Sequence, residues 1–319
     1  MYACSPEWES DLISTSQLER TLSVLSEHII PAPAGPESIG LNHGLHLTGG
    51  EPFLHFEKLL QATRLADEKD IPSIFVETNS FWAKEEGETG RKLKKLRQAG
   101  LDGIMISVNP FYLEYIPFEN TKRAVRLGRE VFGGNAIVYQ KEYLREFERM
   151  GIQGTLDLEE YLEDRRNNLS QRAEFFLSGR APYEVPEYDI SGLHTRPAES
   201  WFDQPCRPPF LREWHNHVDN YGNYVPGYCG GLSLGDITDL DRLLKQGLDP
   251  EEYPILSYIA EGNFAGFYDL TRDYGYQEPV SGYYSKCHLC LDMRNFLNSK
   301  NYFEGLKPEE FYRNLPVNY

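Results

Sequence analysis

Apolar residues recur at helical spacing over 15–30, where Leu18, Leu22, Leu25 and Ile29 share a face and Ser14 or Thr15 stands as a cap. A short strand over 44–48 ends in a glycine turn. The two periods then alternate: helix 55–69, strand 73–77, helix 89–99, strand 103–108, helix 120–132, strand 136–139 and helix 141–150. Gly100 and the Gly133-Gly134 pair punctuate the helix ends. Strands separated by helices of about ten or more residues imply right-handed βαβ crossovers and a parallel sheet. Such a sheet holds its ligands beyond the C-terminal ends of the strands. Functional residues are therefore expected just after each strand.

A further helix is expected over 157–178, with Glu174-Phe-Phe-Leu177 as a candidate last strand. The stretch 182–209 is rich in proline and lacks periodicity, which places a domain boundary there. The resulting division is 1–181, a linker over 182–205, and a C-terminal domain over 206–319. In that domain Asn216 to Val225 alternates around a turn centred on Asn220 to Asn223, the pattern of a β-hairpin, and 291–299 reads as a helix. His215 and His217 fall on one face of the first hairpin strand and read as core or surface residues rather than ligands.

Composition narrows the partners. Asp and Glu total 49 against 32 Lys and Arg, a formal charge of −17. A surface that acidic repels phosphate backbones and anionic lipids, so neither nucleic acid nor membrane is expected as a partner. No apolar run approaches the roughly eighteen residues of a membrane span, and the N-terminus lacks a signal-peptide pattern. A cytoplasmic protein is the expectation. Five cysteines occur, at 4, 206, 229, 287 and 290, and their late clustering suits metal or cluster ligation better than a disulfide framework.

The strand ends carry the candidate chemistry. Thr48-Gly49-Gly50-Glu51-Pro52 follows the first strand, with two glycines that let the backbone approach a ligand and a glutamate able to accept from a cationic group. The next strands end in Glu77-Thr78-Asn79, in Ser107 with Asn109, and in Tyr139-Gln140. Together they describe a polar rim above a parallel sheet.

In order and spacing over roughly 11–150, these residues resemble the radical S-adenosylmethionine (SAM) superfamily. His46-Leu-Thr-Gly-Gly-Glu-Pro52 matches its GGEP element, which in that family binds the amino group of the SAM methionine moiety. Glu77, Thr78 and Asn79 look like the family's segment after the third strand. Ser107 and Asn109 look like the polar positions of the fourth, where ribose and carboxylate are held, and Gly134 to Val138 loosely matches the adenine-side strand. The resemblance implies a partial (β/α)6 TIM-like barrel, SAM as cofactor, and an electron donor such as a flavodoxin or ferredoxin. The family's catalytic [4Fe–4S] cluster sits on a Cys-x3-Cys-x2-Cys loop, where three thiolates leave one iron for SAM. Cleavage there yields a 5′-deoxyadenosyl radical that abstracts hydrogen from substrate. That loop is not in the sequence: Cys4 would need a partner at position 1, which is Met1, and Ala3 stands where an aromatic residue is usual. The expectation is a chain whose recorded start is late, with the motif and first strand upstream, rather than a degenerate protein.

Cys206 and Cys229 flank the hairpin, and Cys287-His-Leu-Cys290 is a CxxC. Two thiol pairs suit a tetrahedral zinc or a [4Fe–4S] cluster; four unrelated buried cysteines are the plain alternative. The arrangement is similar to the Twitch/SPASM-like auxiliary-cluster domain of radical SAM enzymes, with Gly222 at the hairpin centre and Gly227 to Gly231 around the second cysteine. It departs in having six residues between Gly222 and Cys229 where four are more usual. The resemblance implies an auxiliary [4Fe–4S] cluster on Cys206, Cys229, Cys287 and Cys290, with His288 a surface residue. It also implies a small-molecule or peptide substrate, since relatives of this architecture often modify peptides or proteins. The competing reading is a degenerate scaffold with a Cys4 zinc site. A TIM-type lyase would need a lysine or metal-binding carboxylates at the strand ends, and ranks last.

Overall fold

The computed structural model describes residues 8, 9, 11–163, 177, 179–184, 193–206, 210, 214–227, 229–300 and 303–317. The chain forms two compact units, one of Leu18–Asp164 and one drawn from Met1–Gln17 and Arg165–Tyr319. Cys4 lies outside the described residues, as do the expected helix beyond residue 163 and the strand over 174–177, apart from Leu177.

The first unit is a mixed α/β structure. After α1 (Thr15–Leu25, beginning in the other unit) come β1 (His46–Leu47), α2 (Phe56–Asp67), β2 (Phe75–Thr78), α3 (Glu86–Gln98) and β3 (Gly103–Ser107). Then follow α4 (Pro110–Leu113), α5 (Phe118–Phe132), β4 (Ala136–Tyr139), α6 (Lys141–Met150) and α7 (Leu158–Glu163). The strands form one parallel sheet in the order β1-β2-β3-β4, as the βαβ alternation requires. Phe75, Val76, Ile104, Met105 and Ile106 are all 2% exposed or less. Burial on both faces explains why these strands read as continuous apolar runs rather than alternating ones. Each such side chain contributes about 1.5–3 kcal/mol of transfer free energy.

Strand boundaries differ from expectation for backbone reasons. β2 starts at Phe75 rather than residue 73 because Ser73 takes a left-handed φ of 58°. β1 is shortened at its start by Gly44, with φ 82°. A Cβ on Gly44 would lie 2.2 Å from Ser73 O, so glycine alone permits this approach. The approach sets the pairing of β1 with β2: Leu45 N donates to Ser73 O, and Phe75 N donates to Leu45 O. Helix 15–30 stops at Leu25, leaving Ile29 outside it.

The second unit carries α8 (Ala181–Glu184) and a two-stranded hairpin of β5 (His217–Val218) and β6 (Tyr224–Val225). Helices α9 (Leu240–Gln246), α10 (Pro254–Glu261), α11 (Phe264–Asp273), α12 (Lys286–Asn298) and α13 (Glu309–Arg313) follow. Asp219 organises the hairpin turn: its carboxylate accepts from Tyr221 N at 3.0 Å, Asn223 N at 2.9 Å and Asn223 Nδ2 at 2.8 Å. Gly222 sits in that turn at φ 92°. His215 is not on the strand, because its φ of 75° breaks the extended run before β5; its ring meets His217 edge-on at 4.9 Å. Within the stretch expected as a linker, Ala198 is 1% and Trp201 9% exposed, both in one core cluster with residues of α12, while residues 185–192 lie outside the described residues.

Two glycine substitutions have opposite expected signs. Gly44→Ala should destabilise by about 2–4 kcal/mol, from backbone strain plus overlap with Ser73. Gly90→Ala, inside α3 with open space where its Cβ would go, should stabilise by up to about 1 kcal/mol. Urea denaturation of the two variants beside the wild type checks both.

Candidate functional site

Three strand ends meet through their side chains. Register places His46 beside Phe75 and Glu77 beside Met105. With a side-chain period of two, His46, Glu77 and Ser107 therefore share one face of the sheet. His46 Nε2 lies 3.2 Å from Glu77 Oε2, and Ser107 Oγ donates to Glu77 Oε1. The imidazole is held flat against the Phe75 ring, centroids 4.5 Å apart. A polar line thus crosses β1, β2 and β3. His46 was not singled out as a site residue; its place two residues before the glycine turn, on a strand, was the available signal.

The glycine turn is anchored from the neighbouring strand. Glu51 is 9% exposed, and its Oε1 accepts from Thr78 Oγ1 at 2.9 Å and Phe53 N at 3.1 Å. Its Oε2 accepts from Asn79 N at 2.7 Å. Thr78 Oγ1 in turn accepts from Trp82 Nε1 at 2.8 Å, and Trp82 stacks on Phe53 with centroids 3.9 Å apart. Burial raises the Glu51 carboxyl above the ordinary glutamate range, outweighing the hydrogen bonds from Asn79, Phe53 and Thr78. Thr48, Gly49 and Gly50 are exposed, and neither glycine has any atom within 4 Å of where a Cβ would stand. Gly49 has φ 148°. The turn therefore presents bare backbone, with Glu51 beneath it as a brace and Pro52 opening the short helical turn that follows.

Asn79 and Asn109 serve the backbone. Asn79 Oδ1 accepts from Phe81 N at 3.0 Å, and Asn109 Oδ1 caps α4 by accepting from Tyr112 N at 2.9 Å. The structure brings Glu51, Thr78 and Asn79 into one network and Glu77 with Ser107 into another.

The four late cysteines belong to the second unit and form no disulfide. α12 begins at Lys286, five residues before the expected helix, because Ser285 Oγ accepts from His288 N and caps it. The CxxC therefore lies on the first helical turn, where Cys287 and Cys290 share a face, and burial raises the Cys287 thiol above the ordinary range. Cys206 and Cys290 belong to the core and Cys229 packs against it. Burial pushes the Cys206 thiol up to about 12, with Cys290, Cys287 and Cys229 adding to the rise and Lys286 opposing it. All four sulfurs are thus electrostatic neighbours. Among the described residues no three His, Cys, Asp or Glu side chains are drawn close enough to hold a metal ion as they stand. In chemistry the donor set fits a Cys4 site, two thiols from one helical turn and two from the segments flanking the hairpin.

His288 is buried rather than exposed, at 8%. It packs edge-on to Tyr183 and Tyr283 and accepts from Tyr284 N through Nδ1. Burial lowers its pKa to about 4. Arg294 is the charged residue that motif reading missed. It is 5% exposed on α12, and its guanidinium donates to Cys290 O, Gly230 O and Tyr312 OH.

No protein-family model matches the chain, and no curated protein matches it in sequence.

Thr78→Val would take one of two donors from Glu51 Oε1 and leave Trp82 Nε1 without its acceptor, at an expected cost of about 1–3 kcal/mol in chemical denaturation. The pH dependence of Glu51 is separable. The folded state holds its proton more tightly than the unfolded chain does, so ionisation costs stability as pH rises from the ordinary glutamate range through the raised value. The stability of wild type minus that of Glu51→Gln should therefore fall across that window and level off above it.

Proposed function

We propose that this chain is a radical SAM protein, or part of one, in which the rim at the ends of β1 to β3 holds SAM and the four late cysteines hold an auxiliary [4Fe–4S] cluster. The observation that carries this reading is the placement of the Gly49-Gly50-Glu51-Pro52 turn, Glu77-Thr78-Asn79 and Ser107 at the C-terminal ends of successive parallel strands. That is where a parallel sheet offers a ligand site. The four-strand order agrees with part of a TIM-like barrel. When bound, SAM and a site-differentiated cluster supply one-electron cleavage that leads to hydrogen abstraction from a small-molecule or peptide substrate.

The chain's own residues would divide the binding work. Exposed backbone at Gly49 and Gly50 meets the ligand's polar end, while Glu51 fixes the turn from below. Glu77, held between His46 and Ser107, presents a carboxylate oriented across the sheet. Cys206, Cys229, Cys287 and Cys290 supply thiolates once a cation offsets the cost of burying them. A non-catalytic scaffold with a Cys4 zinc is the second reading. It is favoured by Glu51 having both oxygens taken by the chain's own donors.

Anaerobic purification followed by iron, sulfide and zinc analysis decides between them. The cluster reading expects about four irons and four sulfides per chain, lost when Cys287 and Cys290 are both changed to Ser. About one zinc without sulfide supports the scaffold. Calorimetric titration should show SAM binding weakened about tenfold or more by Gly49→Val, whose side chain would enter the open face of the turn. Binding of neither iron nor SAM would defeat the proposal.

A further inference from the structure

Arg294 is buried in the middle of α12 with no carboxylate within ion-pairing distance among the described residues. Its guanidinium meets three neutral acceptors: Cys290 O at 3.3 Å, Gly230 O at 2.9 Å and Tyr312 OH at 3.2 Å. Tyr312 is itself fixed by donating to Gly231 O, and its ring lies 6.0 Å from the guanidinium carbon. A buried guanidinium with only neutral partners is costly, and such charges are retained where an anion offsets them.

The candidates for that anion are on the same spot. Gly230 and Gly231 directly follow Cys229, and Cys290 is one helical turn before Arg294. The guanidinium is thus bonded to the carbonyl of Cys290 and to that of the residue after Cys229, and it feels the charges of both cysteines. Four thiolates around a Zn²⁺, or around an oxidised [4Fe–4S] core of charge +2, leave a net charge of −2 in the protein interior. Each half of this arrangement is unfavourable alone, and together they compensate.

We propose that Arg294 is the charge-compensating positioning residue of the four-cysteine centre, setting its reduction potential by stabilising the more negative, reduced state. This rests on the cluster reading above. The rigid seat between Gly230 O, Cys290 O and Tyr312 OH fixes the distance of the charge from the sulfurs. A fixed cation beside a cluster raises its potential relative to a neutral neighbour.

The test compares Arg294→Lys with Arg294→Gln in the full chain, purified anaerobically, by iron and sulfide content and by an EPR-monitored redox titration. Lysine keeps the charge but cannot reproduce the three-acceptor fork; glutamine loses the charge. The expected result is near-wild-type iron in Arg294→Lys, with a midpoint between those of wild type and Arg294→Gln. Arg294→Gln should show a more negative midpoint or lose most of its iron while the far-ultraviolet circular dichroism stays intact. Unchanged midpoints in both variants, or equal loss of fold and iron in both, would assign Arg294 a purely structural role and overturn the proposal. A wild-type chain without iron and sulfide, or one that keeps both in the cysteine variants, would instead overturn the cluster reading, and the Arg294 proposal with it.

Discussion

A buried carboxylate holds the first unit's working end together. Glu51 joins the exposed glycine turn after β1 to the end of β2, through Thr78 Oγ1 and Asn79 N. Without that tie, Thr48 to Gly50 would be a glycine loop free to take many backbone states. With it, the turn is fixed relative to the next strand, and the open backbone at Gly49 and Gly50 has a defined place. The cost is desolvation of a carboxylate, only partly repaid by three donors. Sequence chemistry offers Glu51 as a ligand acceptor; in the structure its two oxygens accept from Thr78 Oγ1, Phe53 N and Asn79 N.

The second unit shows the same economy with the opposite sign. Arg294 is buried among neutral oxygens beside four thiols. Elsewhere in that core the polar groups are neutralised by phenols: Tyr276 donates to Asp292, and Tyr276 and Tyr283 share a hydrogen bond. Asp292 and Arg294 are two apart on one helix and so face different sides of it. The helix therefore separates an acidic, tyrosine-satisfied side from a cationic, sulfur-rich side. In a protein whose formal charge is −17, this buried arginine forms no ion pair among the described residues and lies beside Cys290, Tyr312 and the segment after Cys229.

Much of this was legible because βαβ order is written in the alternation of periods. The four parallel strands and the helices between them follow from it, and so does the placing of Gly49, Glu51, Glu77 and Ser107 at strand ends. Boundaries were less legible, since they depend on single backbone dihedrals: the left-handed φ of Ser73 and His215 belongs to residue types that rarely adopt it. The early start of α12 was encoded by Ser285, a cap that the CxxC pattern drew attention away from. His288 read as exposed because a histidine between two cysteines looks polar, but three tyrosine rings surround it. Arg294 had no local signal at all. Its meaning comes from Gly230 and Tyr312, 64 and 18 residues away in sequence.

The two halves of the proposed function stand on different physics. Zinc and an oxidised cluster in a Cys4 site carry the same net charge, so compensation by Arg294 is equally apt for a scaffold and for an electron-transfer centre. The discriminating property is what happens on reduction. Zinc takes no electron, and a fixed cation beside it merely offsets a constant charge. A cluster gains a further negative charge, and a guanidinium held by Cys290 O and Gly230 O favours that state without reorganising. The three-acceptor seat of Arg294 matters most where the charge beside it changes, and that makes the redox-active occupant the more economical account of why an arginine is buried there.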